Sequence, residues 1–124
     1  MPFLLIMVLT MPGTAVADIA AANARARSGD FDAMGEVACA QEVGQALGPC
    51  GARVARTGNA AAVVVTFPNG FRRTLMFEDN AFLRGNATMS GVGTDMEWHL
   101  SDDLFRVRVD DQRFEIPAAL VVGQ

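Results

Sequence analysis

Between Met96 and Ile116, three short runs alternate large apolar residues with charged or polar ones, and aspartate pairs separate them. Met96, Trp98 and Leu100 take alternate positions of the first run. Phe105, Val107 and Val109 do so in the second, and Phe114 and Ile116 in the third. Alternation with period two puts successive side chains on opposite faces of a strand, so each run has one apolar face and one polar face. A turn at Asp102-Asp103 sets Leu100 opposite Phe105, Trp98 opposite Val107 and Met96 opposite Val109. A second turn at Asp111-Gln112 sets Val109 opposite Phe114 and Val107 opposite Ile116, and places Arg108 between Glu97 and Glu115. Such a ribbon must dock its apolar side on a core and leave Glu97, Arg108 and Glu115 in water. In this register Trp98 is a core residue, and Trp98→Ala should cost about 3–5 kcal/mol. Pro117 ends the ladder because it has no N–H to donate.

The same character extends upstream. Ala60 to Phe67 is β-branched and aromatic, and Pro68-Asn69-Gly70 is a turn. A three-residue loop there pairs Phe67 with Phe71, Val65 with Arg73 and Val63 with Leu75, which gathers most large apolar groups on one face. A reversal at Asp79-Asn80 sets Phe77 opposite Phe82, and Gly85 to Gly93 reads as a polar loop. Phe31 to Gly51 is irregular: Glu36 to Cys39 has the composition of a short strand, and the rest reads as loop. Asp18 to Ser28 is alanine-rich with an acidic start and Gly29 after it, as in a short helix or a flexible leader. Ala118 to Val122 fits either a helical turn or an extended tail. The fold class expected is mainly β: an antiparallel meander of about six to eight strands forming a small barrel or sandwich. One β domain covers 31–124, with 18–30 as leader or short helix.

The first residues have the pattern of an export signal. Phe3 to Leu9 is an uninterrupted apolar run, Pro12 and Gly13 break it, and Ala15-Val16-Ala17 offers the small-x-small pattern of a cleavage site before Asp18. The run is too short to remain as a membrane span. Residues 1–17 are therefore read as a signal peptide, with cleavage after Ala17 and a periplasmic or secreted destination. No cysteine follows the cleavage site to carry a lipid anchor.

Cys39 and Cys50 are the only thiols. In an oxidising compartment two such residues form a disulfide, and closing this loop should stabilise the domain by about 3 kcal/mol. Two cysteines and one histidine are too few ligands for a closed zinc site. The ten basic residues are all arginines, against fourteen acids, for a net charge of −4. That balance argues against nucleic acid and against anionic membrane surfaces as partners.

His99 shares a strand face with Asp95 and Glu97, the one acidic constellation that could be read as an enzyme site. Neighbours two apart on a strand are about 7 Å distant, which is wide for joint metal ligation. Pairing of these acids with Arg106 and Arg108 on a solvated face accounts for them, at about 0–1 kcal/mol per exposed pair. The Asp102-Asp103 and Asp110-Asp111 pairs are explained by turn chemistry. Ser28, Ser90 and Ser101 lie in no nucleophile motif, the absence of lysine removes a phosphate-binding Walker loop, and Gly91-Val92-Gly93 lacks the third glycine of a dinucleotide fingerprint. No cofactor or metal is expected, and no catalysis.

Phe31-Asp32-Ala33, Cys39-Ala40-Gln41, Gly48-x-Cys50, Val54-Ala55-Arg56 and Arg113-Phe114-Glu115-Ile116-Pro117 together resemble a group of small exported, periplasmic proteobacterial proteins. The resemblance spans Phe31 to about Val121 and implies export, a disulfide and a β fold, with no activity to carry over. Ser90-Gly91, in a loop followed by a strand holding Trp98, is similar to the loop with which periplasmic C-type lysozyme inhibitors enter their target, although this chain has no tyrosine. That second likeness implies an interaction loop at Ser90 and Gly91. The expectation is an envelope protein that binds a protein, glycan or small ligand without catalysis. The alternatives are a lysozyme-inhibitor-like protein, or an enzyme with its site near His99. The exported protein is predicted to begin at Asp18; N-terminal sequencing that finds Met1 intact would contradict this.

Overall fold

The structure, a computed structural model, describes residues 15–86 and 95–123. A helix, α1 (Ala15–Arg27), precedes five strands: β1 (Ala33–Ala40), β2 (Gly48–Thr57), β3 (Ala60–Thr66), β4 (Arg72–Glu78) and β5 (Ala81–Gly85). Three more follow, β6 (Met96–Ser101), β7 (Leu104–Val109) and β8 (Gln112–Pro117), and then a short helix, α2 (Ala118–Val122). All eight strands pair antiparallel in one sheet of order β5-β4-β3-β2-β1-β8-β7-β6, curled into a nearly closed barrel. The chain thus makes two meanders, β1 to β5 and β6 to β8. They are joined where β1 pairs with β8 through Ala38–Glu115, Cys39–Phe114 and Ala40–Arg113.

Turn chemistry sets most of the registers. Asp79 and Asn80 (φ 50° and 61°) and Asp102 and Asp103 (φ 54° and 58°) all adopt the left-handed conformation that two-residue hairpin turns require. Phe77 accordingly faces Phe82, while Met96, Trp98 and Leu100 face Val109, Val107 and Phe105. The Pro68-Asn69-Gly70 loop pairs Val63 with Leu75 and Val65 with Arg73, closed by hydrogen bonds from the Phe67 N–H to the Phe71 carbonyl and from the Gly70 N–H to the Phe67 carbonyl, both 2.8 Å.

The last hairpin departs from the expected register. Its turn is Asp110-Asp111, with Asp110 left-handed at φ 51°, so Val109 faces Gln112, Val107 faces Phe114 and Phe105 faces Ile116. The ladder Glu97–Arg108–Glu115 does not form. Arg108 stands beside Glu97 and opposite Arg113, while Glu115 faces Arg106 and pairs with it at 3.3 Å. A shift of two residues keeps every side chain on its own face, so alternation accommodates both registers. The left-handed preference of aspartate decides between them.

Phe31 to Gly51 also holds more strand than expected. Gly48-Pro49-Cys50-Gly51, which has turn composition, begins β2. β3 pairs with β2 only from Gly51 onward, so Pro49 lies where the strand has a neighbour on one side alone and its missing N–H is tolerated. Cys39 and Cys50 form the disulfide, with Cα atoms 5.9 Å apart.

The barrel interior holds Val54, Val63, Val65, Phe67, Leu75, Phe77, Phe105, Val109, Phe114 and Ile116, all essentially sealed from solvent. A second, smaller core lies outside the sheet, where Ile19, Ala22 and Ala26 of α1 pack on Ala55, Ala60, Ala62 and Met76. This explains the near-continuous apolar run of β3, which is covered on both faces. Alanines at the contact let the helix approach the sheet closely. Arg25 ties the far end of α1 down. It donates to Asp30 (3.0 Å), to both oxygens of Asp32 (2.8 and 2.9 Å) and to the Arg56 carbonyl (2.6 Å).

Arg25, with the Arg56 N–H, holds the Asp32 carboxyl down at about 2, and Arg25 lowers Asp30 too. Both folded values lie below the unfolded ones. The stability they contribute is therefore complete above the ordinary aspartate range near about 3.9 and is lost as pH falls through about 2. Arg25→Ala should melt earlier than wild type at pH 6, with the gap narrowing by pH 2. A gap independent of pH, followed by thermal circular dichroism, would show that the pair does not anchor α1.

Candidate functional site

β5 and β6 are consecutive in sequence but lie at opposite margins of the sheet, so the barrel's seam runs between them. One end of the seam is shut. The Gly85 N–H donates to Met96 Sδ at 3.4 Å, and a side chain at Gly85 would press on Val109 at 3.3 Å. Just inside this end Arg73, only 3% exposed, reaches from β4 across the interior. Its Nε donates to Gln112 Oε1 (2.8 Å) and its Nη1 to the Asn86 carbonyl (2.6 Å). Burial lowers the pKa of Arg73, and the nearby Asp110 carboxylate opposes that shift.

At the other end the β2–β3 turn, the β4–β5 turn, the end of β6 and α2 surround a cleft of about 530 Å³. Each wall has a local cause. α2 starts after Pro117, plugs the barrel with Val121 and ends at the left-handed Gly123. Arg56 of β2 holds its C-terminus, donating to the carbonyls of Leu120 (2.7 Å) and Val121 (3.2 Å), as a cation does favourably at a helix end. Phe77, Leu100 and Val122 give the cleft apolar surface, while Glu78, Asp79 and Asp103 give it negative charge. Leu100 and Val122 are each 39% exposed at its lip. Glu78 Oε2 is buried with no hydrogen-bond partner among the described residues. Burial, and then the charges of Asp79 and Asp18, push the Glu78 carboxyl up. The lining contains carboxylates, one guanidinium already engaged, amides and apolar side chains, but no hydroxyl, thiol or imidazole. That set can hold a ligand by burial and charge.

Most residues singled out in the sequence lie elsewhere. His99 and Glu97 share the outward face of β6 as expected, Asp95 lies just before the strand, and all three are exposed. Glu97 and His99 border one open depression with Trp98, Arg106 and Arg108. Asp95 and Glu97 both turn to Arg108, at 3.3 and 3.2 Å, and His99 stands opposite Arg106. No three His, Cys, Asp or Glu side chains gather for a metal among the described residues. Ser90 and Gly91 lie outside the described residues, as do Phe3 to Leu9. Trp98 is the main correction: it is 40% exposed, with its ring 6.1 Å from that of Phe105. It is on the face the sequence assigns, but β6 is the last strand of the sheet and no further strand among the described residues covers it.

The sequence reading missed Arg56, Glu78 and Val122. Nothing local marks them, since the cleft is assembled from segments far apart in the chain. No family model, curated protein or solved structure matches this chain. Trp98→Ala should cost about 2 kcal/mol, below the 3–5 kcal/mol of a fully buried aromatic. A loss of about 4 kcal/mol or more in urea unfolding would show a sealed Trp98.

Proposed function

We propose that the protein is exported, processed after Ala17, and serves in the cell envelope as a non-catalytic binding module that takes a small amphiphilic ligand in the cleft. The observation that carries this reading is the cleft itself, with Leu100 and Val122 half-exposed above an acidic wall of Glu78, Asp79 and Asp103. Apolar side chains left at the rim of a concave site gain when a ligand covers them. The Cys39–Cys50 disulfide supports export, because it suits an oxidising compartment. Binding is favoured over acid–base work near His99 because Asp95 and Glu97 are engaged by Arg108.

The sole tryptophan lies two residues from Leu100 on β6 and reports on the site. Protein recovered from periplasm under native conditions should release a small molecule on denaturation, detectable by mass spectrometry. Adding that molecule back should shift Trp98 emission, and Leu100→Asp should abolish both effects while leaving the circular dichroism unchanged. Native protein that carries nothing, and whose emission is unmoved by periplasmic extract, would refute the reading.

A further inference from the structure

Acidic residues of three elements flank the β2–β3 turn, where the cleft begins. Asp18 of α1 lies so close to Gly58 that a side chain at Gly58 would collide with its carboxylate. Ala60, after the turn, pairs with Glu78, and the Asp79 N–H donates to the Asn59 carbonyl at 3.1 Å. Glu78 and Asp79 thus stand beside the same turn as Asp18, and Glu78 Oε2 is buried without a partner among the described residues. Desolvating a carboxylate oxygen this way is costly unless a donor reaches it. The charged groups facing the corner from other elements do not supply one. Arg56 spends its guanidinium on the carbonyls of α2, and Asp103, across the cleft, is another acid.

We infer that processing creates the missing cation: after cleavage following Ala17, the new α-ammonium of Asp18 donates to Glu78 Oε2 and completes the acidic corner of the cleft. This rests on the cleavage reading above. Hydrolysis of the Ala17–Asp18 amide by water, in the hands of a processing peptidase, leaves a carboxylate on Ala17 and an amine on Asp18 that is protonated at neutral pH. Ile19, the next residue, is buried against Ala55, Ala60, Ala62 and Met76, so the new terminus stays where it is. An ammonium at a helix start is disfavoured by the helix dipole, so its retention there depends on Glu78 and Asp79. In the uncut chain the same nitrogen is a neutral amide. The precursor keeps an uncompensated acidic corner, and processing adds one positive charge to it.

The composition makes this directly measurable. The chain has no lysine, so the α-amine is its only primary amine. Reductive methylation of the exported protein with ¹³C-formaldehyde keeps the positive charge and yields a single labelled group. Intact mass is read first. A start other than Asp18 overturns the cleavage reading and this inference with it. With the start confirmed, the labelled amine should titrate near about 9, above the ordinary α-amine range of about 7.7–8.0. It should return to that range in Glu78→Gln. Titration within the ordinary range in the wild type overturns the pairing alone, and that reading needs no variant. A wild-type value near 9 that Glu78→Gln leaves unchanged also overturns it, because the partner would then be another group.

Discussion

The pairing of β1 with β8 is the junction on which the molecule depends. Three residue pairs join the two meanders there, and without them β6 to β8 would be a free three-stranded ribbon. A short junction can carry this load because both its sides are fixed independently. The disulfide ties Cys39 of β1 to Cys50 of β2, while the aspartate turns hold β7 and β8 in register. Phe114, opposite Cys39, then packs on Phe67 at 5.6 Å, and Phe77 meets Phe105 at 4.8 Å across the interior. These aromatic contacts and the Arg73–Gln112 bond draw the two halves together and close one end of the seam.

What was legible in the sequence follows the range of each interaction. Hairpins are local, so the β3–β4, β4–β5 and β6–β7 registers could be read from Gly70, Asp79-Asn80 and Asp102-Asp103. The β7–β8 register misled because Asp110, Asp111 and Gln112 offer two turns that leave the same residues facing inward. The opposite-charge ladder favoured the wrong one. The true register sets Arg108 against Arg113. It is tolerated because Arg108 binds Asp95 and Glu97 while Arg113 reaches the Gln45 carbonyl. The β1–β8 pairing and the docking of α1 on Ala55, Ala60 and Ala62 leave no local mark. Both are long-range consequences of having apolar surface to cover.

The same limit explains why the cleft was invisible. Glu78-Asp79-Asn80 reads as turn chemistry, and that reading is correct as far as it goes. Only the fold brings Arg56, Leu100 and α2 around it. Trp98 shows the converse error: alternation identifies the face of a strand but not whether another strand lies beyond it. At the sheet's margin, part of that ring stays in water.

The central claim is that the barrel is closed through β1 and β8 and left open between β5 and β6. Backbone amide exchange and cross-strand nuclear Overhauser effects on isotope-labelled protein test it most directly. Contacts between Cys39 and Phe114, slow exchange along β1 and β8, and fast exchange on the outer edge of β6 are the expected result. A regular ladder of contacts between β5 and β6, or none between β1 and β8, would contradict it.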